Sequence, residues 1–241
     1  MKYAQRGFSL LESLISLFLF LLIILFSLEC FLNVKKHFAQ LKEEETSNTS
    51  VYAALDRMRR DLFDSGMGLI EAIALQVLEG VNEEQGKLIV LSKDKDLWVT
   101  DNLYSGQQRI ITSDARKVRK GQMIGIMNPF GGEVHSVISI NHNSVVIDSP
   151  LASDYPAQNS CVFLLRRVCL FWDESRGAIR RKVNASPAQP LLEDVASFTF
   201  EYIEDANLVR LGLTLKGKEE KKYETTVFPK NTAMASNIQQ K

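Results

Sequence analysis

The sequence predicts an α+β fold, in which a long N-terminal helix with a transmembrane first part packs on an antiparallel β-sheet domain. No glycine or proline occurs between Phe8 and Ser65, whereas all six prolines lie at Pro129 or later. From Lys87 onward, the apolar residues change from helical spacing to the alternating spacing of strands. The 241 residues suffice for one globular domain with its own core in addition to the helix.

Residues 1–7 form a short basic leader. It carries Lys2 and Arg6 but no acidic residue, so we expect it to stay on the cytoplasmic side while the following apolar residues enter the bilayer. A secretory signal peptide would instead place small residues after its apolar core and would lose that core on cleavage. The apolar segment is therefore expected to remain in the mature protein.

Residues 8–30 predict a transmembrane helix. Only Ser16 and Ser27 are polar between residues 14 and 28, and about 20 apolar residues are enough to span a bilayer. Glu12 is the exception. A carboxylate at the centre of a membrane helix costs about 2.5 to 3.5 kcal/mol on insertion scales, so such a residue usually has a functional partner.

The junction of leader and apolar segment, Arg6-Gly-Phe-Ser-Leu-Leu-Glu-Ser13, resembles the cleavage and methylation signature of type IV prepilins and type II secretion pseudopilins. The resemblance implies a pilin-like fold, cleavage after Gly7 by a membrane prepilin peptidase, and N-methylation of the new terminal Phe8. It also implies that Glu12 neutralises the N-terminal amine of a neighbouring subunit. Alternatives are a contact with Phe8 within the same helix, or a side chain that reaches toward lipid head groups.

Residues 31–66 are predicted to continue the helix as an amphipathic segment, which with the membrane part is on the order of 85 Å long. Apolar residues at three-four spacing mark a stripe that can lie against a sheet: Val34, Phe38, Leu41, Tyr52, Leu55, Met58 and Leu62. The polar stretch 43–50 indicates a bend or a solvent-exposed turn of helix, and Gly66 and Gly68 end the helix. Residues 54–66 resemble the helix end of PilW-type minor pilins and of the J-type minor pseudopilin.

Residues 67–231 are predicted to form a periplasmic β-rich globular domain built from antiparallel hairpins. Short runs with strand-like alternation are Lys87–Leu91, Arg109–Thr112, Met123–Met127, Val134–Ile140 and Ser144–Ile147. Residues 125–132 contain glycines but no phosphate-binding Gly-Lys-Ser/Thr, so a hairpin loop is predicted there.

Three further strands are predicted near the C-terminus, within Leu192–Tyr202, Val209–Leu215 and Lys222–Phe228. The first of them, together with Thr226–Asn231, resembles the paired terminal strands of the PilW-like group. Residues 232–241 are polar and are expected to form a disordered tail.

The cysteines do not indicate a disulfide framework. Cys30 falls at the membrane boundary. Cys161 and Cys169 would lie roughly 26 Å apart if they share one strand, beyond the ~7 Å limit for a bridge. Buried free thiols are the preferred interpretation, although pairing of Cys161 with Cys169 stays open.

Other polar residues that could carry chemistry have simpler explanations. His135 and His142 are interpreted as a solvated strand residue and a turn residue rather than metal ligands. Asp94 and Asp96 are interpreted as a solvated turn, because no glycine or distal glutamate completes a calcium loop. The basic residues Arg166, Arg167, Arg180, Arg181 and Lys182 predict a charged outer sheet face, with an acidic partner as the alternative.

Composition argues against nucleic-acid binding, because 29 basic residues balance 29 acidic ones and leave a formal net charge of zero. No local signature of a catalytic triad or carboxylate pair can be singled out. The sequence therefore predicts a structural protein with no enzymatic activity, no cofactor and no metal.

Taken with the resemblance, the sequence predicts a minor pilin or pseudopilin subunit that primes or caps a type IV pilus or a type II secretion pseudopilus. The expected partners are the prepilin peptidase, other major and minor pilins or pseudopilins, and the inner-membrane assembly platform. The expected location is the inner membrane, with a periplasmic C-terminal domain, and then the filament. The alternative is a membrane-anchored periplasmic binding or enzymatic domain that never polymerises.

Overall fold

The computed structural model describes residues 10–217 and 221–239. It divides into two units, Met1–Tyr52 and Ala53–Lys241, and each is described by itself. Helix α1, Leu10–Phe63, starts in the first unit and ends in the second. Over residues 10–52 the first unit is helix throughout.

The polar stretch 43–50 is a solvent-exposed part of α1, which is one of the two predicted alternatives. Three hydroxyl groups donate to the carbonyl oxygen four residues earlier: Thr46 to Lys42 (2.8 Å), Thr49 to Glu45 (2.8 Å) and Ser50 to Thr46 (3.0 Å). Since these bonds satisfy the hydroxyl groups within the helix, the polar sequence does not interrupt it.

The end of α1 belongs to the second unit and is buried along one face. Leu55, Met58 and Leu62 from the predicted stripe are at most 5% exposed, whereas its earlier members Val34, Phe38 and Leu41 are exposed. The helix stops as predicted, because Gly66 and Gly68 adopt φ of 68° and 72°, which side chains disfavour. The Gly66 amide then donates to the carbonyl of Leu91 (2.8 Å). Helix α2, Ile70–Ala74, follows.

The main sheet has nine antiparallel strands within the described residues. They are β1 Val81–Glu84, β2 Lys87–Leu97, β3 Arg109–Ile111, β4 Met123–Asn128, β5 Gly131–Asn141, β6 Ser144–Ile147, β7 Cys161–Asp173, β8 Ala178–Val183 and β9 Gln189–Leu192. Their order is β1-β2-β7-β4-β5-β6-β3, and β8 and β9 extend from β7. The long strand β7 is central, because it pairs with β2 on one edge and with both β4 and β8 on the other.

The predicted strands of this sheet are confirmed, but β2 is longer than expected. Asp94 and Asp96 lie inside β2 rather than in a turn, so the turn prediction is wrong. A bulge between Lys93 and Lys95 keeps this polar run paired with β7. Gln122 donates to Asp94 (3.1 Å), and Lys93 pairs with Asp96 (2.6 Å).

The second sheet has the order β10-β11-β12, with β10 Val195–Ile203, β11 Leu208–Leu215 and β12 Lys222–Val227. The apolar alternation predicted for β11 is confirmed: Val209, Leu211 and Leu213 are almost fully buried. The loop between β10 and β11 is a short hairpin, in which Ile203 pairs with Leu208.

The expectation of a disordered tail is corrected by helix α3, Lys230–Gln239; residues 240 and 241 lie outside the described part. Composition alone suggested disorder, but Thr232 and Ala235 are buried against the rest of the unit. The amide of Thr232 donates to the carbonyl of Pro229 (3.1 Å), which starts the helix.

Two apolar clusters lie on opposite faces of the main sheet. Val162 and Leu164 of β7 belong to one cluster, whereas Phe163 and Leu165 belong to the other. This alternation follows from the two-residue period of a strand. A strand buried on both faces also explains why β7 is an almost continuous apolar run.

Candidate functional site

The predicted processing residues lie at the start of the chain. Lys2, Arg6, Gly7 and Phe8 fall outside the described residues, so their arrangement stays a prediction. Glu12 is described: it is exposed and lies in the first turn of α1. A carboxylate in the first turn is favoured by the positive end of the helix dipole, so this position is compatible with helix formation.

The first part of α1 can cross a membrane by length and composition, and within the described residues it is the one helix that meets this test. None of the side chains in its most apolar 18-residue window is buried in the structure. Phe18, Phe20 and Phe26 are each at least 60% exposed. An apolar surface of this extent indicates contact with lipid or with other helices rather than with water.

The end of α1 is fixed to the main sheet through a buried carboxylate, that of Asp61, which is 3% exposed. Arg181 of β8 binds it in a two-pronged arrangement, with Nε 2.6 Å from Oδ2 and Nη2 2.8 Å from Oδ1. Arg166 of β7 adds a third hydrogen bond, from Nη2 to Oδ1 at 3.2 Å. Charge-assisted bonds of this geometry are strong and directional, so they set the position of the helix end on the sheet.

The four arginines of β7 and β8 therefore form ion pairs within the chain. Besides the pairing of Arg166 and Arg181 with Asp61, Arg167 pairs with Glu84 (2.6 Å). Arg180 pairs with Asp173 (2.9 Å). The predicted outer charged face is therefore wrong for Arg166 and Arg181, which bind the buried Asp61. The alternative, an acidic partner, stays a prediction.

The C-terminal segment caps the same helix end. Asn231 donates from Nδ2 to the carbonyls of Ser65 (3.0 Å) and Phe63 (3.4 Å). The ammonium group of Lys230 lies 4.3 Å from the centre of the Phe63 ring. The last carbonyls of a helix have no hydrogen-bond partners within the helix. The Asn231 amide group supplies such a partner at this end of α1.

Residues 54–66 thus have a physical role at several positions. Arg59 donates from Nε to the hydroxyl of Thr225 on β12 (2.8 Å). Asp61 binds the sheet arginines, Leu62 is buried, and Gly66 turns the chain. Arg59 and Asp61 therefore attach the end of α1 to both sheets.

A polar network around Glu133 was missed from the sequence. The Glu133 carboxylate accepts hydrogen bonds from the backbone amides of Ala152 (2.9 Å) and Ser153 (3.2 Å), from the Tyr155 hydroxyl (2.8 Å) and from His135 Nε2 (2.9 Å). Burial acts to raise its pKa, but these four donors outweigh burial and lower the pKa of Glu133 below its ordinary value. Burial and the adjacent carboxylate raise the pKa of Tyr155.

His135 is corrected from a solvated residue to a buried one, 6% exposed, whose second ring nitrogen lies 3.0 Å from the Ser149 hydroxyl. The same-face spacing of Glu133 and His135 on one strand was the signal that could have revealed it. His142 lies in an exposed turn, as predicted. No group of three or more potential ligands that could hold a metal ion occurs among residues 10–217 and 221–239.

The cysteines are free thiols in the structure. Cys169 is buried as expected, whereas Cys161 is exposed because it begins β7 at the edge of the apolar cluster. Cys30 is exposed on α1. Partial burial raises the pKa of both Cys161 and Cys169, so neither is an activated thiolate.

Comparisons with known proteins identify the N-terminal segment. Residues 2–28 match the family model described as the prokaryotic N-terminal methylation motif. A comparison with curated proteins gives no match. Among solved structures, there is a similarity to the Gp54 tailspike of Acinetobacter baumannii bacteriophage AP22, in complex with A. baumannii capsular saccharide. It has 19% identity and a TM-score of 0.27, and covers 32% of this chain and 15% of the tailspike chain.

A TM-score this low carries no information about fold or function, so the motif and the architecture decide the classification. The motif is followed directly by a long apolar helix, and the helix by antiparallel sheets. The chain is therefore prepilin-like: it has the N-terminal methylation motif of the type IV prepilin and pseudopilin family together with a pilin-like α+β fold.

Proposed function

We propose that this chain is a minor pilin or pseudopilin subunit, which primes or caps a type IV pilus or a type II secretion pseudopilus. The observation that carries the proposal is the methylation motif at residues 2–28, which includes the start of α1, a helix whose most apolar 18 residues are not buried. In this proposal the prepilin peptidase cleaves after Gly7 and N-methylates Phe8. Lys2 and Arg6 hold the leader on the cytoplasmic side.

The exposed apolar side chains of α1 support assembly with other subunits. In the inner membrane they contact lipid, and in a filament they pack against the equivalent helices of other pilins or pseudopilins, delivered by the assembly platform. Both environments are apolar, so the transfer of α1 from the membrane to the filament exposes no apolar surface to water. The periplasmic domain remains outside the bilayer throughout.

Glu12 supports assembly through its charge. After cleavage, the new amine of Phe8 would lie four residues before Glu12, at the same end of the helix. A carboxylate that enters an apolar helix bundle needs a positive partner, and the N-terminal amine of the neighbouring subunit supplies one. We propose that this pairing sets the register of the incoming subunit.

A minor rather than a major subunit is supported by the helix end. Residues 54–66 resemble those of PilW-type minor pilins and the J-type minor pseudopilin, and Asp61, Leu62 and Gly66 each have a distinct role in fixing that end. A rigid attachment of the end of α1 to the sheets would hold the β domain in one orientation, as a subunit that presents a specific surface to its neighbours requires.

The test is the N-terminal mass of the protein purified from membranes of cells with and without prepilin peptidase. We expect a peptide that starts at N-methylated Phe8 only when the peptidase is present. An intact Met1 terminus in both cells, or cleavage beyond Leu28, would contradict the proposal and favour an anchored domain that never polymerises.

A further inference from the structure

A cavity of about 310 Å³ opens at one end of the main sheet, where β2 ends and β7 begins. Its walls include apolar side chains of Leu97, Leu103 and Val162, and its rim carries Trp98. The volume lies at the lower end of the range usual for small-ligand sites. The cavity is about large enough for one long side chain or a small molecule.

Trp98 is unusual because its side chain is 75% exposed. The backbone at Trp98 is nevertheless fixed, because its carbonyl accepts a hydrogen bond from the Thr112 hydroxyl (2.8 Å). Large aromatic side chains are normally buried, and exposed tryptophans are enriched at the energetic centres of interfaces. The exposed indole ring of this lining residue provides a flat surface for a ligand.

The charge of the lining is negative. Asp96 and Asp101 are its ionisable carboxylates, and no lysine, arginine or histidine is among the lining residues described. One oxygen of Asp96 pairs with Lys93. Asp101 forms no ion pair within residues 10–217 and 221–239, so it supplies most of the uncompensated charge.

A buried hydroxyl adds an independent observation. Ser160 lines the cavity, and its Oγ atom is buried without a hydrogen-bond partner among the described residues. An unsatisfied buried polar atom is unfavourable, so rotation of the Ser160 side chain toward a polar ligand would form a hydrogen bond that the free protein lacks. The ligand should therefore carry a polar group at its inner end.

We propose that this cavity binds an arginine side chain presented by a partner protein. A guanidinium group stacks on indole more favourably than on any other side chain, and its five N–H groups match the carboxylate and hydroxyl acceptors that Asp96, Asp101 and Ser160 bring to the lining. Lysine has the same charge but lacks the planar group, so it binds more weakly. The proposal is independent of filament assembly and goes beyond it.

A protein rather than a free cation is favoured by a second exposed aromatic residue at the same end of the sheet. Cys161, which lines the cavity, pairs with Met127 of the neighbouring strand. Three residues further, at the tip of the β4–β5 hairpin, the side chain of Phe130 is 93% exposed. Asn128 fixes this tip by accepting from the Phe130 amide (2.9 Å). Two aromatic anchors beside one cavity are typical of a protein interface.

The test uses the full-length protein in detergent and capped Gly-Arg-Gly peptide. Since the chain has two tryptophans, Trp172→Phe leaves Trp98 as the only tryptophan, whose emission can be excited selectively. We expect a saturable change in emission with the arginine peptide. Gly-Lys-Gly should bind severalfold more weakly, and Gly-Gln-Gly at least tenfold more weakly. Added salt should weaken binding of the arginine peptide.

Ligand-observed NMR with the same peptides tests whether Trp98 and Asp101 contribute to arginine binding. Trp98→Ala and Asp101→Asn should each weaken arginine binding at least fivefold. The matched controls Tyr104→Ala and Asp205→Asn, exposed residues that do not line the cavity, should leave it unchanged. Thermal unfolding verifies that all four variants fold. Equal binding of the glutamine and arginine peptides, stronger binding of a neutral sugar, or no effect of Trp98→Ala would overturn the proposal.

Discussion

Glu133 shows how a single residue can organise a loop. Its carboxylate holds the backbone of Ala152 and Ser153 and the hydroxyl of Tyr155, which together position the segment between β6 and β7. His135 completes the set from the same strand. Because an ionised carboxylate can accept from His135, from Tyr155 and from both backbone amides, the network is favoured when Glu133 is ionised.

We predict that stability falls as the pH drops below about 4.5, the ordinary pKa of glutamate, partly through Glu133. Its folded-state pKa is lowered, so its contribution is complete above the unfolded-state value and is lost as the pH falls through the folded-state value. In Glu133→Gln this part of the pH dependence should disappear. Unfolding midpoints of the full-length protein measured between about pH 3 and 6 give the comparison.

The control for that experiment is Glu201→Gln, which removes an exposed carboxylate paired with Arg210 (3.0 Å). Its pH profile should run parallel to that of the unmodified protein, because exposed pairs contribute little. If the Glu133→Gln profile also runs parallel, the network does not depend on the charge of Glu133.

At the scale of elements, the junction of α1 with the sheet depends on Asp61. We predict that Asp61→Ala lowers the free energy of unfolding by about 3 to 5 kcal/mol, because it leaves Arg166 and Arg181 without their shared partner. Asp56→Ala, which breaks the exposed pair with Arg60 (2.5 Å) on the same helix, should cost less than about 1 kcal/mol. Denaturant unfolding of the full-length protein in detergent measures both. Equal losses in the two variants would contradict the role of the buried network.

The elements that could be predicted from the sequence are those with local signals. The end of α1 follows from Gly66, and strands such as β11 follow from strict alternation. In contrast, β1 and β9 are four-residue strands with charged residues or a proline, and α3 is polar, so tertiary contacts decide them.

The residues of the candidate site also divide into those with a local sequence signal and those whose partners are set by the fold. Glu12 belongs to a continuous motif of eight residues and could be identified from the sequence. The partners of Asp61 could not, because Arg166 and Arg181 are separated from it by 105 and 120 positions. The sequence did mark both arginines as notable, but it could not indicate that their partner lies within the chain.

For the whole molecule, the two units differ in what they require from their surroundings. Unit Ala53–Lys241 buries its own apolar clusters. The first unit, over residues 10–52, is a helix whose large apolar side chains are exposed. The second unit therefore has an apolar core of its own, whereas the apolar side chains of the first unit need lipid or neighbouring helices to cover them.

This difference leads to a prediction for Glu12. Glu12→Ala removes the charge from the apolar helix without altering the leader, so membrane insertion and processing to N-methylated Phe8 should persist. Incorporation should fall at least tenfold, because the incoming subunit loses the partner for an N-terminal amine. The measurement is the ratio of this protein in sheared filaments to that in membranes, in cells that carry the peptidase and the companion pilins. Glu29→Ala, an exposed acid further along α1, is the matched control and should assemble normally. Normal assembly of Glu12→Ala would show that the helix surface alone drives incorporation and that the carboxylate has no part in register.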